Sequence, residues 1–128
     1  MRRIVWDRAG GSCEYCLLHE SDIVIPHEPD HVIASQHGGV TIADNLALAC
    51  FDCNRSKGPN IASTDPNGGT IVPLFNPRKD QWDQHFRLET DGTIVSLTAK
   101  GRATAKLLGF DAVRRVQLRA MLVRAGRL

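Results

Sequence analysis

Residues 13–58 of this chain, CEYCLLHESDIVIPHEPDHVIASQHGGVTIADNLALACFDCNRSKG, decide how it folds. They hold all four cysteines, arranged as the two pairs Cys13-x-x-Cys16 and Cys50-x-x-Cys53. Four thiolates complete the tetrahedral coordination of Zn²⁺ and leave no position for water or substrate. We therefore expect a closed structural zinc site, whose binding energy contributes to folding.

Two alternatives stay open for these cysteines. They could be four buried thiols without a ligand, or one pair could be a redox centre. The redox interpretation is disfavoured because neither pair lies at the strand-to-helix turn of a βαβ unit. Metal binding is favoured further if the protein works in a reducing compartment, where disulfides are rare.

Length and composition point to such a compartment. A chain of 128 residues fits one domain, and 42% hydrophobic with 23% charged residues is ordinary for a globular protein. No apolar run approaches the roughly 20 residues of a membrane helix. The first residues, Met1 to Asp7, contain no apolar stretch typical of a signal peptide. We therefore expect a cytoplasmic protein without a membrane partner.

Charge is distributed unevenly along the chain. The formal net charge is +2, but the last 30 residues hold eight basic side chains against one acidic one, Asp111, so the first 98 residues carry −5. This segment predicts either a basic surface for phosphate or an ordinary solvated helix surface. The basic residues are Lys100, Arg102, Lys106, Arg114, Arg115, Arg119, Arg124 and Arg127.

The sequence of the first half of the chain predicts a short fold that combines helices and strands. The pattern predicts a helix over residues 2–9 that ends at Gly10-Gly11, and strands over residues 30–33 and 46–49. A helix over residues 51–57 follows, with Gly58 as its left-handed cap. This order predicts two strands and a helix around the second cysteine pair.

The second half predicts a loop over residues 60–67, an extended segment over 70–75 and a hairpin around Asp91-Gly92. Thr98 and Asp111 are predicted to cap two final helices that end near Gly109 and Gly126. The spacing of apolar residues in the last helix predicts a buried stripe from which most arginines are absent. Its members are Val113, Val116, Ala120 and Val123.

The run His27-Glu28-Pro29-Asp30-His31 matches the letters of the zinc-protease motif HExxH. That motif requires both histidines on one face of a helix. Pro29 inside the run and Pro26 before it favour an extended chain instead. We therefore reject the protease interpretation.

Several short motifs together resemble a known family. Asp30-His31, Gly38-Gly39, Asn45-Leu46 and the run from Cys50 to Gly58 follow one another as in the HNH endonucleases with a four-cysteine zinc knot. The resemblance covers residues 13–58. It implies an α+β fold with a small ββα-metal core, and metal-dependent hydrolysis of phosphodiester bonds in DNA with a 5′ phosphate product.

The resemblance also implies roles for individual residues. His31 is implied as the general base that takes a proton from water, which suits a side chain whose unperturbed pKa is roughly 6.5. Asp30 and Asn54 are implied as ligands of a catalytic Mg²⁺ or Mn²⁺ ion, and Asn45 as the brace of the loop between the strands. Because neighbouring strand residues point to opposite sides, Asp30 and His31 need a twist or a bulge to serve one site.

Three further residues are candidates for contact with nucleic acid. Arg55 and Lys57 follow the implied metal ligand on the short helix and could bind the DNA backbone, and His37 precedes the glycine pair. Ordinary surface charge or a solvated loop histidine would explain them equally well. An alternative function is a zinc-dependent nucleic-acid-binding module that does not cut, and a third is a secreted nuclease toxin.

Beyond this core, Asn76-Pro77-Arg78 and the residues around Trp82 resemble a C-terminal extension of some bacterial HNH proteins. We expect residues 1–60 to form the nuclease core with its zinc knuckle. Residues 61–128 are expected to form an extension, a hairpin and basic helices, that packs on the core as one structural unit. Trp82 and Phe86, four residues apart, are expected to anchor it there.

Overall fold

The computed structural model describes all 128 residues. Its internal contacts divide the chain into two compact units. The first comprises Met1–Ile61 with Asn76–Asp80, and the second comprises Ala62–Phe75 with Gln81–Leu128. None of the helices is both long and apolar enough to cross a membrane.

The first unit contains the predicted pair of strands followed by a helix. Strand β1 (Glu28–His31) and strand β2 (Leu46–Ala49) pair antiparallel, and helix α2 (Phe51–Lys57) follows β2 directly. All four residues of β2 are buried. The fold is therefore the small α+β fold that the sequence predicts.

Strand β1 lies two residues earlier than predicted. Pro29 is accommodated opposite Leu48 because a two-stranded ribbon leaves one edge of each strand unpaired, where a missing N–H costs nothing. After His31 the chain bonds the end of the connecting loop instead: Val32 N donates to Asn45 O at 2.9 Å. The apolar pair Val32-Ile33 therefore follows the strand rather than forming its centre.

Helix α1 (Arg2–Ala9) forms as predicted and ends at Gly10, which adopts the left-handed conformation with φ 64°. It covers β2, because Val5 packs against Leu46 and Leu48 in the core of this unit. Helix α2 is capped by Cys50, whose Sγ accepts a hydrogen bond from Cys53 N. It ends at Gly58 with φ 51° and ψ −138°, so the predicted left-handed cap is wrong although the positive φ still favours glycine.

The second unit is built on two hairpins. Strand β3 (Ala62–Thr64) pairs with β4 (Ile71–Pro73), and β5 (Phe86–Leu88) pairs with β6 (Ile94–Ser96). The β5–β6 hairpin is the predicted one. The predicted loop over residues 60–67 is wrong in part, because Asp65 begins a tight turn by accepting Gly69 N with its carbonyl and so brings β3 beside β4.

Two helices complete this unit. Helix α4 (Ala99–Leu108) is capped by Thr98, whose side chain accepts Gly101 N, and it ends at Gly109 in the left-handed conformation. A short helix α3 (Trp82–His85) precedes β5, and helix α5 (Val113–Arg124) ends near the C-terminus. The hairpin followed by two C-terminal helices is thus present as predicted.

The predictions for the cap and the buried face of α5 are wrong. Ala112, not Asp111, precedes the helix, and the Asp111 carboxylate instead accepts Ile94 N at 3.1 Å. Val113 is 71% exposed, whereas Arg115 and Arg119 are buried. Arg115 donates to the carbonyls of Leu108 and Gly109, which the end of α4 leaves without helical partners.

Trp82 and Phe86 contact each other, with ring centroids 5.1 Å apart. Phe86 also lies against Phe75 and Phe110, at 5.5 Å and 5.4 Å between centroids. All four rings belong to the second unit, so they form its own aromatic core.

Candidate metal centre and active site

The four cysteines meet in the first unit. Cys13 and Cys16 follow α1, whereas Cys50 and Cys53 lie at the start of α2, and all four are buried. Their Sγ atoms lie within 4.8 Å of one another, and those of Cys16 and Cys50 are 3.6 Å apart. Tetrahedral Zn²⁺ with bonds of about 2.3 Å requires sulfur separations of roughly 3.8 Å. The cluster is therefore compatible with a structural zinc ion.

The surroundings of the sulfur atoms agree with this assignment. Burial raises the pKa of the Cys13 and Cys53 thiols well above their usual range, so thiolates here require a cation. Backbone amides already point at two sulfur atoms: Cys16 N lies 3.5 Å from Cys13 Sγ and Cys53 N lies 3.4 Å from Cys50 Sγ. Such N–H···S contacts stabilise negative sulfur, as in a metal thiolate.

Asp30 lies on β1 and is 6% exposed. Its Oδ2 atom accepts a hydrogen bond from the Tyr15 hydroxyl at 3.1 Å and lies 3.2 Å from Lys57 Nζ. Burial raises the pKa of the Asp30 carboxyl, while the charge of Lys57 and the two hydrogen bonds oppose that shift. The second carboxylate oxygen, Oδ1, makes no hydrogen bond and is available to a ligand.

Lys57 is placed differently from the expectation for a residue that binds nucleic acid. It is 2% exposed, and its ammonium group donates to the His31 carbonyl at 2.9 Å besides pairing with Asp30. A buried cation in two such contacts does not reach a DNA backbone. Lys57 instead holds the consecutive residues Asp30 and His31 from the direction of α2.

His31 is the last residue of β1, opposite Leu46. Its side chain is partly exposed, and its Nε2 atom lies 2.8 Å from Thr41 Oγ1. The other ring nitrogen, Nδ1, makes no hydrogen bond. The register of β1 is regular through Asp30 and His31, so no bulge is present, and the strand ends at the cleft described below.

Asn45 bridges the end of β1 and the loop that returns to β2. Its Oδ1 accepts Ile33 N at 3.0 Å, and its Nδ2 donates to the carbonyls of Ile33 and Val40 at 2.9 Å. The bridge depends on Gly39, because a Cβ atom there would lie 1.7 Å from the Ile33 carbonyl oxygen. These contacts are those expected of a residue that braces a loop.

Asn54 lies half-buried on α2, and its side-chain amide makes no hydrogen bond. It shares an open cleft of about 300 Å³ with Asp30 and His31, so three of the four predicted catalytic residues meet in one place. Asn45 does not line this cleft. The lining residues are Pro29, Asp30, His31, Ala34, Ser35, Asn54, Gly58 and Pro59.

The remaining candidates for nucleic-acid contact lie on the surface outside the cleft lining. Arg55 is exposed on α2, with its guanidinium 5.8 Å from the centre of the Phe51 ring. His37 is exposed at the end of the short 3₁₀ turn Ser35–His37. His27, in the rejected protease motif, is buried and bonds the Leu18 carbonyl through Nε2 at 2.8 Å.

Two residues of the site, Tyr15 and Thr41, were not predicted from the sequence. Tyr15, between the first two cysteines, reads as an ordinary packing residue until its hydroxyl is seen on Asp30. Thr41 carries no signal, because a threonine in a loop is most often just solvated. Both contacts form only when segments 10 to 15 residues apart along the chain are brought together.

Two strands and a helix thus form a ββα domain that holds a four-cysteine cluster, which could bind a metal ion, beside an Asp-His-Asn cleft. Residues 13–60 match the family model of the HNH endonucleases, so this segment of the chain is similar to that family. The comparisons with curated proteins and with solved structures gave no match.

Proposed function

We propose that this protein is a metal-dependent endonuclease that hydrolyses phosphodiester bonds in DNA. One observation carries the proposal: Asp30, His31 and Asn54 line the same open cleft. Each of them offers an atom without a hydrogen-bond partner, namely a carboxylate oxygen, an imidazole nitrogen and an amide. The HNH match of residues 13–60 supports a nuclease rather than another use of these groups.

In the proposed reaction His31 takes a proton from the attacking water through its unpaired nitrogen. Asp30 and Asn54 are oxygen donors of the kind that Mg²⁺ or Mn²⁺ prefers, and they are the residues that would hold such an ion. An ion bound there would supply Lewis-acid stabilisation of the negative charge that develops during hydrolysis. Asp30 presents Oδ1 because Tyr15 and Lys57 occupy Oδ2. The product would carry a 5′ phosphate.

Zinc has a separate, structural role in this proposal. Four sulfur ligands fill its coordination sphere, so it contributes to folding and not to the reaction. Four reduced cysteines in one cluster suit a protein that works in the cytoplasm.

DNA binding is proposed to involve surface charge around the cleft and on the second unit. Arg55 and His37 are exposed candidates in the first unit. Of the basic C-terminal residues, Arg102, Arg115 and Arg119 are engaged in contacts within the second unit. The exposed side chains Lys106, Arg114 and Arg124 are better placed for non-specific phosphate contacts, which would make binding dependent on salt.

Cleavage of supercoiled plasmid by the zinc-loaded protein, with Mg²⁺ or Mn²⁺, tests the proposal. We expect His31→Ala to lower the rate by about 10²–10⁴-fold, the usual contribution of a general base. His85→Ala is the matched histidine control, since His85 belongs to the second unit and bonds Thr98. Equal cleavage by wild type and His31→Ala would contradict the proposed base. A folded protein that binds duplex DNA, single-stranded DNA or RNA without cutting any of them would favour the binding-module alternative.

A further inference from the structure

We propose that Thr41 is a positioning residue that fixes the tautomer of His31, keeping the proton on Nε2 and leaving Nδ1 as the nitrogen that receives a proton from water. The inference rests on the proposed function, because it names the atom of His31 that acts as base. It is carried by the 2.8 Å contact between His31 Nε2 and Thr41 Oγ1.

A neutral imidazole has one N–H donor and one acceptor nitrogen, and the hydrogen bond at one nitrogen determines which is which. Thr41 occupies Nε2, so only Nδ1 can accept a proton from water. If the Thr41 hydroxyl donated to Nε2, the proton would reside on Nδ1 and neither nitrogen would be free to act as base. The proposed reaction therefore requires that Nε2–H donates and Thr41 Oγ1 accepts.

The same arrangement suits the protonated imidazolium that forms when water is deprotonated. Both ring nitrogens are then donors, and Nε2–H keeps its acceptor on Thr41 without any rearrangement. The threonine hydroxyl is exposed and makes no other hydrogen bond. Its one polar contact is thus with the residue proposed as base.

The loop that carries Thr41 is held in place. Asn45 Nδ2 donates to the carbonyl of Val40, the residue before Thr41, and also to the carbonyl of Ile33 at the end of β1. Gly39 allows this close approach, because any side chain there would collide with Ile33. The brace that the family resemblance implies for Asn45 therefore has a specific consequence here: it brings the Thr41 hydroxyl to His31.

The backbone of His31 is fixed from the other direction. Its carbonyl accepts the Lys57 ammonium at 2.9 Å, and the residue pairs with Leu46 in the strand register. With the backbone fixed and Nε2 held by Thr41, the imidazole ring has a defined orientation. Asn45 and Lys57 thus support from two directions the contact that sets the tautomer.

Two substitutions separate the hydroxyl from the shape of the side chain. Thr41→Val removes the hydroxyl and keeps the branched shape, whereas Thr41→Ser keeps the hydroxyl. We expect Thr41→Val to lower kcat by about 10-fold, part of the 10²–10⁴-fold that a general base contributes, with unchanged affinity for DNA. Thr41→Ser should retain most of the activity. A merely structural role would not be restored by serine.

The tautomer itself is read by NMR of zinc-loaded protein labelled with ¹⁵N-histidine, in alkaline buffer and without DNA. We expect wild type and Thr41→Ser to show the ¹⁵N shifts of the tautomer protonated at Nε2, and Thr41→Val to show a mixture of both tautomers. A proton on Nδ1 in wild type, or identical spectra for wild type and Thr41→Val, would overturn the inference. If no form cleaves DNA but the Nε2 proton still depends on the Thr41 hydroxyl, the proposed nuclease function fails while the assignment of the tautomer to Thr41 is supported.

Discussion

Lys57→Met is the substitution that tests most directly how the cleft is organised. The side chain keeps its length and apolar stem but loses the ammonium group, which lies 3.2 Å from Asp30 Oδ2 and 2.9 Å from the His31 carbonyl. Both partners of the ion pair are nearly inaccessible to solvent, at 2% and 6% exposure. The variant therefore leaves a buried carboxylate without its cation.

The expected loss of stability follows from these contacts. Removing one partner of a buried ion pair costs about 3–5 kcal/mol. Part of that cost is avoided if Asp30 takes up a proton. Protonating a carboxyl with an ordinary pKa of about 3.9 at pH 7 costs roughly 4 kcal/mol, because each pH unit above the pKa costs 1.36 kcal/mol. This route limits the electrostatic penalty, and the lost hydrogen bond to His31 adds about 1 kcal/mol. We expect a total near 4 kcal/mol at pH 7.

Dependence on pH identifies the cause. Burial already raises the pKa of Asp30, and the loss of the Lys57 charge in Lys57→Met is expected to raise it further, so the variant is less destabilised at low pH and loses stability relative to wild type as pH rises. The penalty relative to wild type should shrink as pH falls, by up to 1.36 kcal/mol per pH unit. Urea unfolding of the zinc-loaded protein, followed by the indole NMR signal of Trp6, reports this unit.

A double-mutant cycle provides the control. Asp30→Asn combined with Lys57→Met removes both charges, and the double variant should be clearly more stable than the sum of the two single effects implies. Additive effects, a penalty below about 1 kcal/mol, or a penalty independent of pH would refute the idea that Lys57 stabilises an ionised Asp30. If Lys57→Met does not fold, recovery of folding in the double variant would still support it.

Two further predictions concern the loop brace and the second unit. Gly39→Ala should displace the loop from Ile33 and disrupt the three Asn45 hydrogen bonds, which should lower the free energy of unfolding in urea by roughly 2–3 kcal/mol. Gly38→Ala is the control, because a Cβ atom at Gly38 meets no neighbour and only its φ of 89° is unfavourable, so it should lower that free energy by about 1 kcal/mol. Equal losses of stability in the two variants would contradict the predicted clash at Gly39. The Arg102 side chain and Asn67 N bond Asp65 and lower its pKa from 3.8 to about 2, so the stability from this carboxylate is present above pH 3.8 and lost as pH falls toward 2. Asp65→Asn should therefore be less stable than wild type at pH 7 and equal to it near pH 2, as followed by the Trp82 indole signal, and a difference that persists at pH 2 would refute the assignment.

The clustering of the four cysteines and the order of elements in residues 13–58 could be predicted because the evidence is local. A Cys-x-x-Cys pair places two sulfur atoms close together within one turn, and Gly10 and Gly109 end helices by a conformation that glycine alone adopts easily. The predicted position of strand β1 was two residues too late in the chain, because Val32-Ile33 favours a strand by local propensity, whereas pairing with β2 determines the actual register.

The faces of α5 could not be predicted from polarity. Arginines at positions 115 and 119 read as solvent-facing, yet both are buried because carbonyl groups at the end of α4 and near the β5–β6 turn need donors. The burial of Lys57 could not be predicted from the sequence for the same reason. A charged residue is buried when a distant segment supplies its partner, and neither periodicity nor composition contains that information.

The four-cysteine cluster and the proposed catalytic cleft are not independent. Cys50, which caps helix α2, and Cys53 within the helix belong to the four-cysteine cluster, and one turn later the helix carries Asn54 and Lys57 toward the cleft. The cysteine knuckle carries Tyr15, which lies between Cys13 and Cys16 and bonds Asp30. Zinc bound by the four cysteines would thus fix two segments that each place a group on Asp30 Oδ2, and Oδ1 is left for the cleft. Loss of zinc should therefore disorganise the proposed catalytic cleft, because the same short helix and the same knuckle build both.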